Sequence, residues 1–183
     1  MSSGRLIAVV GPSGVGKDSV MAGIASALPE VQLVRRVITR AADLGGEDYE
    51  AVTPEAFERM AQEGAFCVHW NAHGLRYGIP ARVLADVEDG TDCLVNFSRS
   101  ALLDASRHFP RFLVLNITAY SEVLAQRLIA RGRENAEEIT RRLSKADKPL
   151  PEGLDVITVP NNGPLQDAVD LAVRALCAQK ADA

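Results

Sequence analysis

Short apolar runs alternate with helix-periodic segments along most of the chain. The apolar runs predict β-strands near 6–10, 33–38, 93–97, 112–117 and 155–159. Apolar positions with helical spacing predict helices near 17–28, 100–107, 120–131 and 164–179. Because parallel strands need crossover connections, usually helical, this alternation predicts a three-layer α/β fold with a central parallel sheet. Ligands of such folds bind at the carboxyl ends of the strands.

Two segments interrupt this alternation. In the first, 35–80, Thr53 is predicted to cap a short helix that begins at Pro54, and an extended run follows at 65–70. The second, 131–149, is rich in arginine and continues as a helix. We therefore predict a single domain over the whole chain, with an inserted subdomain in the first segment and a mobile lid in the second. The predicted core comprises 5–34, 81–130 and 150–180.

Composition limits the possible functions. Of the 183 residues, 47% are hydrophobic and 24% are charged, which suits one domain with a sizeable core. A net charge of −4 and a pI near 5.4 argue against general binding to nucleic acid or to a membrane surface. Because no apolar run has the length of a signal peptide or a membrane span, we expect a cytoplasmic protein, as a monomer or homodimer.

A glycine-rich loop stands between the first predicted strand and the first predicted helix. Its pattern, Gly-x-x-x-x-Gly-Lys, is typical of a phosphate-binding loop (P-loop), in which glycines permit a tight turn and backbone N–H groups face the phosphates. The helix adds its positive end, and Lys17 reaches the β and γ phosphates of a nucleoside triphosphate. The predicted nucleotide-binding residues are Gly11, Pro12, Ser13, Gly14, Val15, Gly16, Lys17, Asp18 and Ser19.

The residue after the loop lysine is unusual. Most loops of this type have Ser or Thr there, whose hydroxyl binds Mg²⁺, whereas this chain has Asp18 followed by Ser19. A carboxylate is a hard oxygen donor, so Asp18 is a candidate Mg²⁺ ligand, directly or through a water. Asp near a helix N-terminus is also a good cap, which leaves a structural role open.

Two groups of arginines fall near the interrupting segments. Phosphoryl transfer needs positive charge around the transferring group, and arginine fits phosphate geometry well. We predict that the later group forms a lid over the phosphates, with a solvated surface as the alternative for each member. We predict that the earlier group holds an acceptor phosphate. The later group is Arg127, Arg131, Arg133, Arg141 and Arg142; the earlier is Arg35, Arg36 and Arg40, beside Thr39 and Tyr49.

These motifs resemble those of the guanylate kinase family over nearly the whole chain. The resemblance implies an ATP-dependent kinase that uses Mg²⁺, with Lys17 among its catalytic residues. Besides the loop, the matching motifs are Ile38-Thr39-Arg40, Asp48-Tyr49, Tyr77-Gly78, Arg131-Gly132-Arg133, Arg142 and Asn161-Asn162.

The resemblance also implies roles for individual residues. Arg40 and Tyr49 would hold the phosphate of the acceptor. Arg131 and Arg142 would embrace the transferring phosphate as catalytic residues of the lid. Asn161, or the asparagine after it, would lie near adenine, although Asn beside a strand end and a glycine is equally typical of a turn.

The departures from this family fall on the positions that read guanine. Val68 and Ile79 stand where hydrogen-bonding residues are expected. Asn96 and Ser98 likewise replace two aspartates at a strand end. A buried site that loses its hydrogen-bonding partners loses discrimination steeply, so GMP is a poor candidate acceptor.

Positive charge is gained where base recognition is lost. Arg36 takes a position that is usually Ser, and Arg99 follows a strand end, which suits a second acceptor phosphate. Together with Gly-Lys-Asp in the loop, these features are similar to those of the ribose 1,5-bisphosphate phosphokinases, a phosphonate-utilisation branch of the family. The resemblance implies transfer of the γ-phosphoryl group of ATP to the 1-phosphate of ribose 1,5-bisphosphate, giving 5-phosphoribosyl 1-diphosphate (PRPP) and ADP. The implied acceptor-binding residues are Arg36, Arg40, Tyr49, Tyr77 and Arg99.

Three other functions stay open from the sequence. A guanylate or nucleoside monophosphate kinase, or a kinase of neutral sugars such as gluconate, would share the loop and lid, although gluconate kinases lack an acceptor region like that around Tyr49. A non-catalytic guanylate-kinase-like binding module is disfavoured because Gly16, Lys17 and the lid arginines are kept. A switch NTPase is disfavoured because no water-positioning residue is evident.

Overall fold

The chain folds around two β-sheets. The computed structural model describes residues 4–41, 47–132, 134–146 and 148–181. In that part of the chain the strands are β1 Leu6–Val10, β2 Gln32–Leu33, β3 Arg36–Ile38, β4 Tyr49–Ala51, β5 Phe66–Ala72, β6 Leu75–Pro80, β7 Cys93–Asn96, β8 Phe112–Thr118 and β9 Asp155–Pro160. The larger, central sheet has the order β2-β7-β1-β8-β9, and each neighbouring pair in it is parallel.

Helices connect most of the strands. They are α1 Lys17–Ala27, α2 Pro54–Gln62, α3 Arg82–Glu88, α4 Leu102–Ser106, α5 Ser121–Arg131, α6 Ala136–Ser144 and α7 Leu165–Ala181. The helix predicted near 100–107 consists of a 3₁₀ turn, Arg99–Ala101, followed by the short α4. Within the described residues, no helix combines the length and the apolar character needed to cross a membrane.

Helices cover both faces of the central sheet. Alternate residues of β1 enter two separate cores, and every one of them is fully buried. Leu6, Ala8 and Val10 pack in the core that contains residues of α3 and α4. Ile7 and Val9 pack in the core that contains residues of α1, α5 and α7. Burial on both faces explains why the strand is a continuous apolar run, and it confirms the predicted three-layer α/β fold.

The smaller sheet lies within the predicted insertion. Its order is β4-β3-β6-β5, with β3 parallel to β4 and antiparallel to β6, and with β5 antiparallel to β6. The Thr53 side chain accepts a hydrogen bond from the backbone N–H of Ala56 at 3.2 Å and caps α2, as predicted. The division of the chain into core, acceptor-binding insertion and lid stays a prediction.

The prediction of a single strand at 33–38 is wrong, because two strands of different sheets lie there. One strand, β2, ends at Leu33 and pairs with β7, whereas the next, β3, begins at Arg36 and belongs to the smaller sheet. Val34, between them, is buried and its N–H bonds to the carbonyl of Leu94 at 2.9 Å. At the point where the chain passes from one sheet to the other stand Arg35 and Arg36, and neither Gly nor Pro marks a turn between the two apolar pairs.

Candidate active site

The glycine-rich loop joins the carboxyl end of β1 to α1. Gly14 and Gly16 have φ angles of 83° and 88°, in the region that favours glycine. A Cβ at Gly11 would lie 2.6 Å from the carbonyl oxygen of Ile117, so the backbone of β8 excludes a side chain there. Successive backbone N–H groups in a loop of this kind form a concavity that suits a phosphate group.

Lys17 begins α1, and its side chain folds back over the loop. Its Nζ donates a hydrogen bond to the carbonyl oxygen of Gly11 at 2.9 Å. Burial lowers the pKa of Lys17 to about 8. Two carboxylates raise the pKa and two guanidinium groups lower it further. These four charges belong to Asp18, Glu47, Arg36 and Arg99.

Asp18 lies in the first turn of α1, next to the carboxyl end of β7. Its Oδ1 accepts a hydrogen bond from Nδ2 of Asn96 at 3.4 Å, a long contact that leaves the carboxylate free to bind a cation. Because Mg²⁺ at nucleotide sites keeps several waters and takes only one or two carboxylates, the oxygens of Asp18, Ser19 and Asn96 fit this ion. Among the described residues, no three acidic, His or Cys side chains form a metal-binding cluster.

Two of the predicted lid arginines meet at one carboxylate. Arg131, the last residue of α5, and Arg142, in α6, both form ion pairs with Glu134, whose side chain is 5% exposed. Arg142 also donates a hydrogen bond to Oγ of Ser13 at 2.9 Å. Helix α6, in the predicted lid, therefore contacts the phosphate-binding loop directly. Glu134 joins the two arginines, although its sequence position predicts no role for it.

Helix α6 begins with a capping box. The side chain of Asn135 accepts a hydrogen bond from Glu138 N, and the Glu138 carboxylate accepts one from Asn135 N. Arg127, in α5, donates to the carbonyl oxygen of Val15 at 3.3 Å and so contacts the loop as well. Arg133 lies outside the described residues, and its role in the lid stays a prediction.

Arg36 is buried beside a carboxylate and two aromatic rings. Its side chain is 6% exposed, and its Nε donates to Oε2 of Glu47 at 3.1 Å. The guanidinium carbon lies 4.8 Å from the ring centre of Tyr77 and 5.8 Å from that of Trp70. Contacts with ring faces leave N–H groups of the guanidinium edge available to a further acceptor.

Arg40 and Tyr49, the two residues predicted to hold the acceptor phosphate, lie in contact. The guanidinium carbon of Arg40 is 4.4 Å from the ring centre of Tyr49, whose hydroxyl donates to the carbonyl oxygen of Ala41. Arg40 Nε is buried and has no hydrogen-bond partner among the described residues. A buried cationic donor of this kind suits an anionic acceptor such as a phosphate group.

Three aromatic rings connect the smaller sheet to the central sheet. Trp70 is stacked on Tyr77, with ring centres 5.5 Å apart, and on Phe97, at 5.0 Å. Its Nε1 donates to Oγ of Ser98 at 2.9 Å. The stack therefore joins the ring beside Arg36 to the carboxyl end of β7. Trp70 has no predicted role in the sequence, because one aromatic residue in a strand is usually part of the core.

Val68 and Ile79 stand opposite each other on β5 and β6. They are 3% and 0% exposed and belong to the core on one face of the central sheet. These two positions therefore offer no hydrogen-bonding side chain to an acceptor, in agreement with the expectation that GMP is a poor substrate.

Arg99 is directed to the far end of the lid. Its guanidinium donates to the carbonyl oxygens of Ala146, at 3.1 Å, and of Lys148, at 2.8 Å. Both acceptors follow α6, on the return of the chain to the central sheet. The predicted contact of Arg99 with an acceptor phosphate stays a prediction.

Asn161 supports the loop from the end of β9. It is 4% exposed, and its Nδ2 donates to the carbonyl oxygen of Val15 at 2.8 Å. Its buried Oδ1 has no partner among the described residues. Asn162 instead accepts a hydrogen bond from Tyr120 N at 2.7 Å, as expected of a turn residue. Beside Asn161 is a cleft of about 200 Å³, lined by Gly16, Ser19, Arg127, Asn161, Gly163 and Leu165.

Solved structures resemble the whole fold. A guanylate kinase from Anaplasma phagocytophilum covers 98% of this chain and 87% of its own, with a TM-score of 0.67 and 22% identity. A gluconokinase from Sinorhizobium meliloti 1021 covers 98% of this chain and 95% of its own, with a TM-score of 0.59 and 19% identity. At these identities the likeness concerns the fold alone.

Sequence comparison is more specific. The guanylate kinase family model matches residues 3–176. Ribose 1,5-bisphosphate phosphokinase PhnN of Ruegeria sp. (strain TM1040) is 50% identical over 98% of this chain and 95% of that protein. The protein of the same name from Pseudomonas fluorescens (strain SBW25) is 43% identical over 96% of this chain and 94% of that protein. The chain therefore belongs to the guanylate kinase family, and to the branch of it that contains these phosphokinases.

Proposed function

We propose that this protein transfers the γ-phosphoryl group of ATP to the 1-phosphate of ribose 1,5-bisphosphate, giving PRPP and ADP. The relatives that cover almost the whole chain are named for ribose 1,5-bisphosphate as substrate. A small acceptor with two phosphate groups also suits the charges of the site, where Arg36 is buried and its charge acts on Lys17 of the phosphate-binding loop.

The observation that carries the proposal is a contrast within the smaller sheet. Val68 and Ile79 are closed into the core, so they have no polar group for a nucleobase. Arg36 and Arg40, in contrast, provide two guanidinium groups, one against the Tyr77 ring and one against the Tyr49 ring. This side of the site therefore favours an acceptor that is recognised by phosphate charge rather than by a base.

The donor side suits ATP with Mg²⁺. The loop would cradle the phosphates, and the cleft beside Asn161 has room for part of the base or ribose. Asp18 would hold the ion, with Ser19 and Asn96 as further oxygen donors. When bound, Mg²⁺ neutralises charge between the donor phosphates.

The chemistry requires little of the protein beyond positioning and positive charge. A bond forms between an oxygen of the acceptor 1-phosphate and the γ phosphorus, while the bond from the γ phosphorus to the bridging oxygen breaks and ADP leaves. The attacking oxygen is already anionic, so no general base is needed. Lys17, Arg131 and Arg142 would stabilise the charge on the transferring group.

The test is the consumption of ATP with each of four acceptor conditions: ribose 1,5-bisphosphate, GMP, gluconate and no acceptor. Consumption with the bisphosphate, and a product with the mass of PRPP, is the expected result. Turnover of GMP would overturn the assignment of Val68 and Ile79, and turnover without acceptor would point to an NTPase. The Lys17→Ala variant is the matched control, and near-normal turnover by it would contradict the proposed site.

A further inference from the structure

Glu47 is a carboxylate that is fixed inside the proposed acceptor site. It precedes β4, and both of its carboxylate oxygens accept hydrogen bonds from the guanidinium of Arg36. Oε2 accepts from Nε at 3.1 Å, and Oε1 accepts from Nη2. The side chains of the pair are 17% and 6% exposed. Glutamate is seldom so buried, and a two-point pair with arginine fixes both the position and the plane of the carboxylate.

The carboxylate is held by Arg36 of the smaller sheet, and its charge also reaches the donor side. Its partner Arg36 lies against the ring face of Tyr77. Burial raises the pKa of Tyr77, the charges of Arg36 and Arg40 lower it, and the charge of Glu47 raises it. The same charge acts on Lys17 and partly offsets the effect of burial on the pKa of that ammonium. Glu47 is therefore paired with Arg36 of the smaller sheet, and its charge reaches Lys17 of the loop.

A carboxylate at this point has a specific chemical consequence. A sugar bisphosphate carries a dianionic phosphate at each end and hydroxyl groups between them. Glu47 repels the phosphates, which arginines attract, but it is a strong acceptor for hydroxyl donors. After its two bonds with Arg36, each carboxylate oxygen retains a lone pair.

We propose that Glu47 accepts hydrogen bonds from the 2- and 3-hydroxyls of the acceptor sugar and thereby determines which sugar bisphosphate is used. This inference rests on the proposed function and adds the recognition of the sugar to that of its phosphates. Arg36 has two tasks in this arrangement. It holds the carboxylate with one part of its guanidinium and faces an acceptor phosphate with the rest.

The test compares sugars in wild type and in Glu47→Gln, which keeps the size of the side chain and removes its charge. The acceptors are ribose 1,5-bisphosphate and its 2-deoxy and 3-deoxy analogues, each measured as kcat/KM. Trp70, the one tryptophan of the chain, lies 5.8 Å from the Arg36 guanidinium, so its fluorescence gives the Kd of each acceptor without ATP. Glu50→Gln is the control, because it makes the same change at an exposed residue of β4, three positions after Glu47.

We expect wild type to prefer ribose 1,5-bisphosphate over at least one deoxy analogue by about 10- to 100-fold, the usual effect of one hydrogen bond to a charged group. Glu47→Gln should lose most of this preference through weaker use of ribose, with little change for the analogue. Glu47→Asp, which keeps the charge, should retain part of the preference. Glu50→Gln should behave as wild type in both measurements.

Two results would overturn the inference and leave the proposed function intact. An equal loss for all three sugars would mean that Glu47 only orients Arg36. Tighter binding of all three sugars would mean that Glu47 competes with the acceptor for that arginine. If wild type uses none of the three sugars, the proposed function fails and the inference fails with it.

Discussion

The guanidinium of Arg142 donates a hydrogen bond to the hydroxyl of Ser13 at 2.9 Å and joins the lid helix to the phosphate-binding loop. The same guanidinium pairs with Glu134, which also pairs with Arg131. Arg142 is thus in contact with the loop, and Arg131 is linked to Arg142 through Glu134. Guanidinium groups held in this way suit catalysis through preorganised charge.

Removal of this guanidinium should affect turnover more than nucleotide binding. For Arg142→Ala we expect kcat to fall by about 10²–10³-fold, the usual loss when one preorganised donor to a transition state is removed. The Kd of ATP should change far less. Steady-state kinetics with ribose 1,5-bisphosphate and calorimetric titration with ATP measure the two quantities.

Arg141 provides the matched control for this prediction. It is adjacent to Arg142 on the same helix and is exposed. Arg141→Ala removes the same charge without touching Ser13 or Glu134, and its kcat should stay near that of wild type. Equal losses in the two variants would mean that general positive charge on the lid matters and the specific contact does not.

The pKa of Lys17 predicts how ATP binding depends on pH. In the free protein burial lowers this pKa to about 8, so at pH 8.5 a large share of Lys17 is neutral. Bound phosphate favours the ammonium and raises the pKa, so binding takes up a proton. Affinity for ATP should therefore fall as pH rises above 8, by up to about tenfold per unit.

Calorimetry at pH 8.5, in two buffers of different ionisation enthalpy, measures this proton uptake. Wild type should take up a fraction of a proton for each ATP bound. Lys17→Met, which has no titrating group at that position, should take up none from this source. Identical uptake by both proteins would assign the proton to another group and contradict the prediction.

The sequence predicts the central sheet and the loop well because their signals are local. A buried strand such as β1 is a continuous apolar run, and the loop is a contiguous motif. Helix α3 is missing from the prediction because its seven residues are too short for a clear helical period. The roles of Glu47 and Glu134 were not predicted either, since a glutamate in a loop has the same sequence signature whether folding exposes it or pairs it with an arginine.

Arg99 is predicted to hold the return segment of the lid, because its guanidinium bonds to the carbonyl oxygens of Ala146 and Lys148. In Arg99→Ala these carbonyls lose their donor. Amide hydrogens of α6 should then exchange about tenfold faster, as local opening becomes easier. Hydrogen exchange followed by mass spectrometry measures this rate for each peptide.

Arg107→Ala is the control for this experiment, because Arg107 is exposed at the C-terminal end of α4. Its exchange in α6 should match that of wild type. If Arg99→Ala leaves exchange in α6 unchanged and instead weakens binding of ribose 1,5-bisphosphate, Arg99 acts on the acceptor, as the sequence alone suggests.

Arg5 and Asp92 form a buried ion pair that joins the start of β1 to the segment before β7. Their side chains are 5% and 2% exposed, with 2.8 Å between the guanidinium and Oδ2. Arg5 also donates to the carbonyl oxygen of Leu176 at 2.9 Å, so the pair fixes the end of α7 as well. The two residues are 87 positions apart, and their pairing is not visible in the sequence.

Removal of one member of this pair should destabilise the fold, because the other remains buried without a partner. For Asp92→Ala we expect a loss of about 3–5 kcal/mol in the free energy of unfolding at pH 7.

Burial by itself would raise the pKa of Asp92, but the hydrogen bonds and charges of Arg5 and Lys180 hold it below its usual value of 3.8. The unfolded carboxyl therefore binds a proton first as pH falls, and the stabilisation by Asp92 is present above pH 4 and lost as the pH falls through its folded pKa. Urea unfolding at pH 7 and at pH 3 measures both effects, with the exposed Asp89→Ala as control. A similar loss in the two variants at pH 7 would contradict the role of the buried pair.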